Sequence, residues 1–242
     1  MWTPSPKYIP LKPQDLHLWF LPLPEKTLLT DHYWQVLSPD EQSRAHSFRF
    51  EKNALEFIQT RAALRYLLAF YSSQKPTEIS FGQNEYGKPS FPELYFNVSH
   101  TDGAALLGFT LAGELGVDIE NTERAVEVDL VAKHFFAPRE VEKLLAMTPA
   151  EKQAAFYRCW TRKESIIKAL GTGLSFPLKE FEVEFLLDRP AHLLQTHWDS
   201  TEIDQWWMKA FELEDPFVSA VAMRGKALSC HTWRWDDSLL WP

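Results

Sequence analysis

Cysteine is nearly missing from this chain. Cys159 and Cys230 are its only two, and neither belongs to a CxxC pair or a Cys/His cluster. That argues against a disulfide framework and a structural zinc site, and makes two reduced thiols in a cytoplasmic protein the expectation. Long apolar runs are missing too. The longest candidate, Ala104 to Ala112, is broken by Gly108 and Thr110 and falls far short of the roughly 20 residues a membrane span needs. Met1 to Lys7 lacks a basic stretch followed by an apolar core, so neither a signal peptide nor a membrane partner is expected. Nor is there a surplus of positive charge: the net charge is −8, which speaks against a broad nucleic-acid surface. GxGxxG and GxxxxGK[ST] are both absent, excluding a dinucleotide-binding Rossmann turn and a P-loop.

What remains is a globular composition, 45% hydrophobic and 24% charged over 242 residues, enough for one large domain or two halves. Leu16 to Leu21 reads as a strand closed by Pro22 and Pro24. Ser38-Pro39-Asp40-Glu41 opens a helix with a capping box, proline suiting its first position. A second helix spans Asn53 to Tyr71, its apolar residues recurring at three- and four-residue steps. Tyr95 to Ser99 and Ala104 to Thr110 are strands around the turn Thr101-Asp102-Gly103, and Leu115 to Glu120 is another. Helices follow at Leu130 to Phe136, Pro138 to Met147 and Ala150 to Leu170, the last stopped by Gly171. Strand-like segments then occupy Phe181 to Leu187, Gln205 to Leu213 and Phe217 to Met223. The order strand, helices, strands occurs once before about residue 112 and once after. An α+β fold of two similar halves, 1–112 and 113–242, is therefore expected.

Asp118 and Glu120 stand two apart in a strand, so both carboxylates face one side while Val117 and Ile119 face the other. Held together, the two acids repel, and a divalent cation removes the conflict; hard oxygen ligands favour Mg²⁺. A solvated edge strand is the alternative. In the last long helix Phe156, Trp160, Ile167 and Leu170 form an apolar stripe, with Glu164 and Lys168 at its border, half sheltered from water. A surface Glu–Lys pair is the alternative there. Ser99-His100 ends a strand at a turn and offers a hydroxyl and an imidazole, but without a Gly-x-Ser-x-Gly elbow. His17, His134 and His197 lack any spacing to partners that would make a metal site.

The motifs Phe96-Asn97-Val98-Ser99-His100, Gly116-Val117-Asp118-Ile119-Glu120 and Trp160-Thr161-Arg162-Lys163-Glu164-Ser165-Ile166-Ile167-Lys168 occur in that order. Together they resemble the signature of the 4′-phosphopantetheinyl transferases, (V/I)-G-(V/I)-D followed at a distance by (F/W)-x-x-K-E-(A/S)-x-x-K. The turn Glu85-Tyr86-Gly87-Lys88-Pro89 also matches. The chain length is similar to that of the Sfp-type branch, in which two like halves related by a pseudo-twofold share one chain around a ligand cleft. The resemblance implies a Mg²⁺-dependent enzyme that moves the phosphopantetheine arm of coenzyme A onto a serine of an apo carrier protein, releasing 3′,5′-ADP. It implies Asp118, Glu120 and Glu164 as metal ligands, Glu164 also as general base, and Lys168 as the group that neutralises the leaving phosphate. Lys88, Ser99, His100 and Lys163 would hold coenzyme A phosphates. Family members often carry basic residues early in the helix after Ser-Pro; here Arg44 is the first, and it takes that role with Arg61 as helper. A monomer is expected.

Carrier proteins are usually acidic, as this chain is, so docking requires a local basic and apolar patch. Arg124 to Lys143, with Lys133, Phe135, Phe136 and Arg139, is the candidate. Two rival readings use the same residues: a Mg²⁺ phosphohydrolase, and a non-catalytic module that binds coenzyme A or a carrier. The sequence leaves the pathway open, and also the packing of Trp233, Trp235 and Trp241.

Overall fold

A computed structural model describes residues 2–4, 9–24, 30–173 and 176–236; Trp241 lies outside them. In chain order the elements are β1 (Thr3–Pro4), β2 (Asp15–Pro22), α1 (Thr30–Val36), α2 (Pro39–His46), α3 (Glu51–Ser72), β3 (Gly82–Gln83), β4 (Pro89–Ser90), β5 (Tyr95–Thr101), β6 (Ala104–Thr110) and β7 (Leu115–Asn121). Then come α4 (Val128–Phe135), α5 (Pro138–Leu145), α6 (Pro149–Leu170), β8 (Phe181–Val183), β9 (Leu193–Thr196), β10 (Trp206–Glu212), β11 (Phe217–Arg224) and β12 (Ser229–Arg234). The fold is α+β. Among the described residues no helix is long and apolar enough to cross a membrane.

Two sheets stack face to face, each backed by one 22-residue helix. The first runs β1-β12-β2-β6-β5, the second β10-β11-β7. Strand alternation produces the layers. Leu16, Leu18 and Phe20 of β2 and Leu106 of β6 face Leu115, Val117, Ile119 and Val221 across the middle. Trp19, Leu21, Leu107 and Phe109, on the opposite face, pack with Ala63, Leu64, Leu67 and Leu68 of α3. Beyond the second sheet lies α6, whose Phe156, Ile166 and Ile167 join a core with Phe181, Met208 and Ala222.

Local signals are obeyed closely. Ser38 N–H donates to Glu41 Oε2 at 2.9 Å and Glu41 N–H to Ser38 Oγ at 3.3 Å, the reciprocal pair of a capping box. Gly171 ends α6 at φ 70°, its N–H donating to Ile167 O at 3.0 Å. The strand expected over Phe181 to Leu187 stops at Val183. There the Glu184 carboxylate turns back to accept from the N–H groups of Phe185 and Leu186 at 3.0 and 3.1 Å, ending the extended run. The boundary at 112/113 is crossed by β12, which pairs with β2 inside the first sheet.

At the junction β5 and β7 are edges of different sheets, with no backbone ladder between them. Alternate β5 side chains take over that task. Asn97 Oδ1 accepts from Val117 N–H at 2.9 Å, Ser99 Oγ from Ile119 N–H at 3.3 Å, and Thr101 Oγ1 from Asn121 N–H at 3.2 Å. Phe96 and Val98 point the other way, into the α3 core.

Gly116 sets the approach of α6 to β7. A Cβ there would fall 2.0 Å from Ser165 O and 2.4 Å from Ala169 N, both backbone atoms of a packed helix. Neither can step aside without moving α6. Gly116→Ala is therefore expected to cost at least the roughly 1–3 kcal/mol of an overpacked core, read as a lower midpoint in urea.

Candidate active site

The carboxylates gather where β7, β5 and α6 meet. Asp118 lies on the α6 side of β7 and is 3% exposed, deeper than a solvated edge strand would place it. Its Oδ1 accepts from Ser99 Oγ at 2.8 Å and from Lys168 Nζ at 2.6 Å. Lys168 Nζ donates also to Ser99 Oγ at 2.7 Å, so Ser99 accepts from the lysine and from Ile119 N–H while donating to Asp118. Thr101 Oγ1 donates to Glu120 Oε2 at 3.3 Å, repeating the pattern one step along.

Glu164, one helical turn before Lys168, is buried, not a member of a surface pair. Burial, reinforced by the Asp118 charge and opposed by Lys168, raises its carboxyl from the ordinary 4.5 to about 7. Glu120 also rises to about 7, through burial first and Asp118 next, against Lys168, Thr101 and Arg124. Asp118 is raised as well, by burial, against the pull of Lys168 and Ser99. Without a bound cation, Glu164 is thus poised near neutrality.

Three acids share one lysine, so positive charge is short here. Among the described residues, Asp118 Oδ2 and Glu164 Oε1 are buried with no hydrogen-bond partner. Buried polar atoms nearly always have partners, and two orphaned carboxylate oxygens in a hard-oxygen cluster are what a divalent cation such as Mg²⁺ would satisfy. The three carboxylates are not all within 4.8 Å of one another, so binding would draw them together.

His100 follows Ser99 and therefore points to the opposite face of β5. There it lines a cavity of about 220 Å³ with Arg44, Phe57, Arg61, Pro89 and Phe96. The guanidinium of Arg44 stands 5.3 Å from the Phe57 ring centroid and that of Arg61 5.7 Å, so two cations bracket one aromatic. Glu41 holds Arg61 at 3.4 Å and Arg65 at 2.6 Å. Of these, Arg44, Arg61 and His100 were legible from the sequence. Phe57 was not singled out, although its position four residues before Arg61 in a helix carries the signal.

One expected phosphate ligand lies elsewhere, and another is engaged by protein groups beside the cavity. Lys163 is fully buried on the far side of α6, its Nζ 2.8 Å from Glu140 and donating to the carbonyls of Leu178 and Phe181. It also stands 4.2 Å from the Phe181 ring centroid. This corrects the expectation that Lys163 meets a phosphate: with its charge spent in the core, it anchors α6 to the segment before β8. Lys88 pairs with Glu114 and donates to Leu115 O at 3.2 Å and Ala169 O at 3.3 Å, and it does not line the cavity. It fastens the start of β7 to the end of α6.

Comparison with known proteins bears on the same residues. A family model described as the 4′-phosphopantetheinyl transferase superfamily matches residues 114–222, which hold all three acids and Lys168. The chain is 33% identical over 230 residues to the 4′-phosphopantetheinyl transferase HetI of Nostoc sp., covering 93% of this chain and 94% of that one. It is 31% identical over 161 residues to the 4′-phosphopantetheinyl transferase Sfp of Bacillus subtilis, covering 65% and 70% of the two chains. Human L-aminoadipate-semialdehyde dehydrogenase-phosphopantetheinyl transferase is 28% identical over 207 residues, covering 78% and 67%. With one relative matched along almost the whole of both sequences, this chain belongs to the 4′-phosphopantetheinyl transferase superfamily.

Proposed function

We propose that this protein transfers the 4′-phosphopantetheine group of coenzyme A to a serine of an apo carrier protein, with Asp118, Glu120 and Glu164 holding Mg²⁺. The observation that carries the proposal is the pair of orphaned buried oxygens on Asp118 and Glu164, with Lys168 beside them. When bound, the ion would supply the positive charge that a diphosphate needs among acids. The cavity of Arg44, Arg61 and His100 supplies fixed cations, an imidazole and the Phe57 face, suited to the phosphorylated nucleoside end of coenzyme A. Asn97, which faces β7 as Ser99 does, also lines this cavity, and His100 lies within electrostatic reach of Lys168 and Asp118, so the cavity adjoins the acids.

In the proposed reaction the Glu164 carboxylate accepts the proton of the carrier serine. That oxygen bonds to the β-phosphorus while the bond from phosphorus to the oxygen of the departing 3′,5′-ADP breaks. Near 7 without a cation, this carboxyl would be drawn lower by a bound ion and held ionised, ready to accept the proton. Lys168 neutralises charge on the leaving phosphate, and Ser99, fully hydrogen-bonded, holds Lys168 and Asp118 in register. A carrier would dock on α4 and α5, where Leu130 is 64% exposed and Lys133 and Arg139 are exposed. Phe136 is excluded from that patch, being buried against Phe156 and Trp160.

Incubated with coenzyme A, Mg²⁺ and an apo carrier protein, the protein is expected to add one phosphopantetheine mass to the carrier. Glu164→Gln should slow this about 10²–10⁴-fold in kcat. An unmodified carrier alongside hydrolysed coenzyme A would point to a phosphohydrolase instead. Reversing charge at Lys133 and Arg139 should raise KM for the carrier about 3–10-fold with coenzyme A affinity unchanged, measured by steady-state kinetics.

The raised acids also make a pH prediction. Folded Glu120 and Glu164 titrate near 7 and their unfolded counterparts near 4.5, so between those values the folded form binds more protons. Their contribution to stability therefore falls as pH rises through that window and is flat above it. Melting temperature without divalent cation should drop across the window, less steeply in Glu120→Gln. Added Mg²⁺ should stabilise more at the upper end than the lower, because protons compete with the ion.

A further inference from the structure

A second group of ligand atoms lies on the first sheet, away from the acids on β7. The parallel register of β2 and β12 sets His17 beside His231, and Asp15, two residues before His17, shares its face. Asp15 Oδ1 is 3.5 Å from His231 Nε2, and Asp15 Oδ2 is 4.0 Å from His17 Nε2. Among the described residues this is the one group of three or more Asp, Glu, His or Cys side chains whose ligand atoms all fall within 4.8 Å of one another. Spacing along the chain gives His17 no such partners; the strand register supplies them.

An Asp15–His231 ion pair accounts for two members but leaves the third unexplained. His17 is 0% exposed, and its Nε2 has no hydrogen-bond partner. The other ring nitrogen, Nδ1, lies 2.9 Å from the Tyr71 hydroxyl, whose oxygen also accepts from Trp19 Nε1 at 3.0 Å. The tautomer protonated on Nδ1 offers the Nε2 lone pair on the Asp15 side, and metal binding would select it over the one in which Tyr71 donates to Nδ1. A neutral imidazole fixed from behind by its second nitrogen is the arrangement seen in metal-ligating histidines.

We propose that Asp15, His17 and His231 form a second metal site, for a divalent transition-metal ion of the Zn²⁺ class, fastening β12 to β2. Two imidazole nitrogens and a carboxylate suit zinc and its neighbours and not Mg²⁺, which takes oxygen ligands. Tetrahedral zinc at about 2.0–2.1 Å from each nitrogen sets its ligand atoms about 3.3 Å apart. Asp15 presents different oxygens at 3.5 and 4.0 Å and the three ligand atoms lie within 4.8 Å of one another, so the ligands must close in, for which His231, stacked on Trp233 with a side chain 43% exposed, has room. Three protein ligands leave a fourth position for water on the exposed His231 side.

Chelator-treated full-length protein, kept in excess Mg²⁺ so that the β7 acids are occupied, is to be titrated with Zn²⁺ by calorimetry. One saturable equivalent is expected, with a Zn²⁺-dependent rise in melting temperature. Asp15→Asn, which keeps the side-chain shape, and His231→Ala, at a half-exposed position, should each weaken binding at least about tenfold. Co²⁺ in place of Zn²⁺ should give visible absorption bands of low coordination number that both variants lose and Glu164→Gln retains. The proposal is overturned if wild type takes up no saturable Zn²⁺, if both ligand variants bind it as tightly as wild type, or if Glu164→Gln removes the Co²⁺ bands.

Discussion

Three oxygen atoms on one strand hold the two sheets of this protein in register. Asn97, Ser99 and Thr101 of β5 accept the N–H groups of Val117, Ile119 and Asn121, which a neighbouring strand would otherwise have to satisfy. Leaving such a donor buried and unpaired costs roughly 1–3 kcal/mol, so the contacts fix the alignment of β7 to within a residue. The same atoms then serve the site: Ser99 Oγ and Thr101 Oγ1 donate onward to Asp118 and Glu120. Structural satisfaction and the positioning of acids are one network. Because two of the three oxygens span both tasks, the sheets cannot slip without carrying the carboxylates out of place.

Within that frame, charge is arranged to be incomplete. Lys163 and Glu140 neutralise each other in the core, and Arg65 is matched to Glu41. Around Asp118 a single lysine faces three acids, two of which rise to about 7. A folded chain tolerates such an imbalance where a ligand offsets it. The cavity of Arg44, Arg61 and His100 carries the opposite surplus on the other face of β5. Acids on β7 and α6 thus adjoin bases carried by α2, α3 and β5.

How much of this was legible depended on whether the signal was local. The capping box at Ser38, the stop at Gly171 and the shared face of Asp118 and Glu120 follow from neighbours within a few residues, and all are present. Grouping Ser99 with His100 as phosphate ligands set aside strand alternation, which sends the two side chains to opposite faces. Lys163 was misjudged because its partner Glu140 lies on another helix, and nothing in the lysine's own surroundings announces a buried ion pair. The shortage of cations beside Glu164 was likewise invisible, since burial and the Asp118 charge arise only when α6 lies on β7. Gly116 marked that contact in the sequence, but its reason is the backbone of Ser165 and Ala169 pressed against it.

The late strand β12 has a consequence for how the chain comes together. It sits between β1 and β2, so the first sheet lacks an interior member until residues 229–234 have been made. During synthesis the row of peptide groups from Leu16 to Phe20, set among apolar side chains, waits uncovered until that strand emerges. An open, greasy edge of that kind invites pairing with other chains. Residues 15–20 thus depend for their protection on a strand more than 200 residues further along the chain.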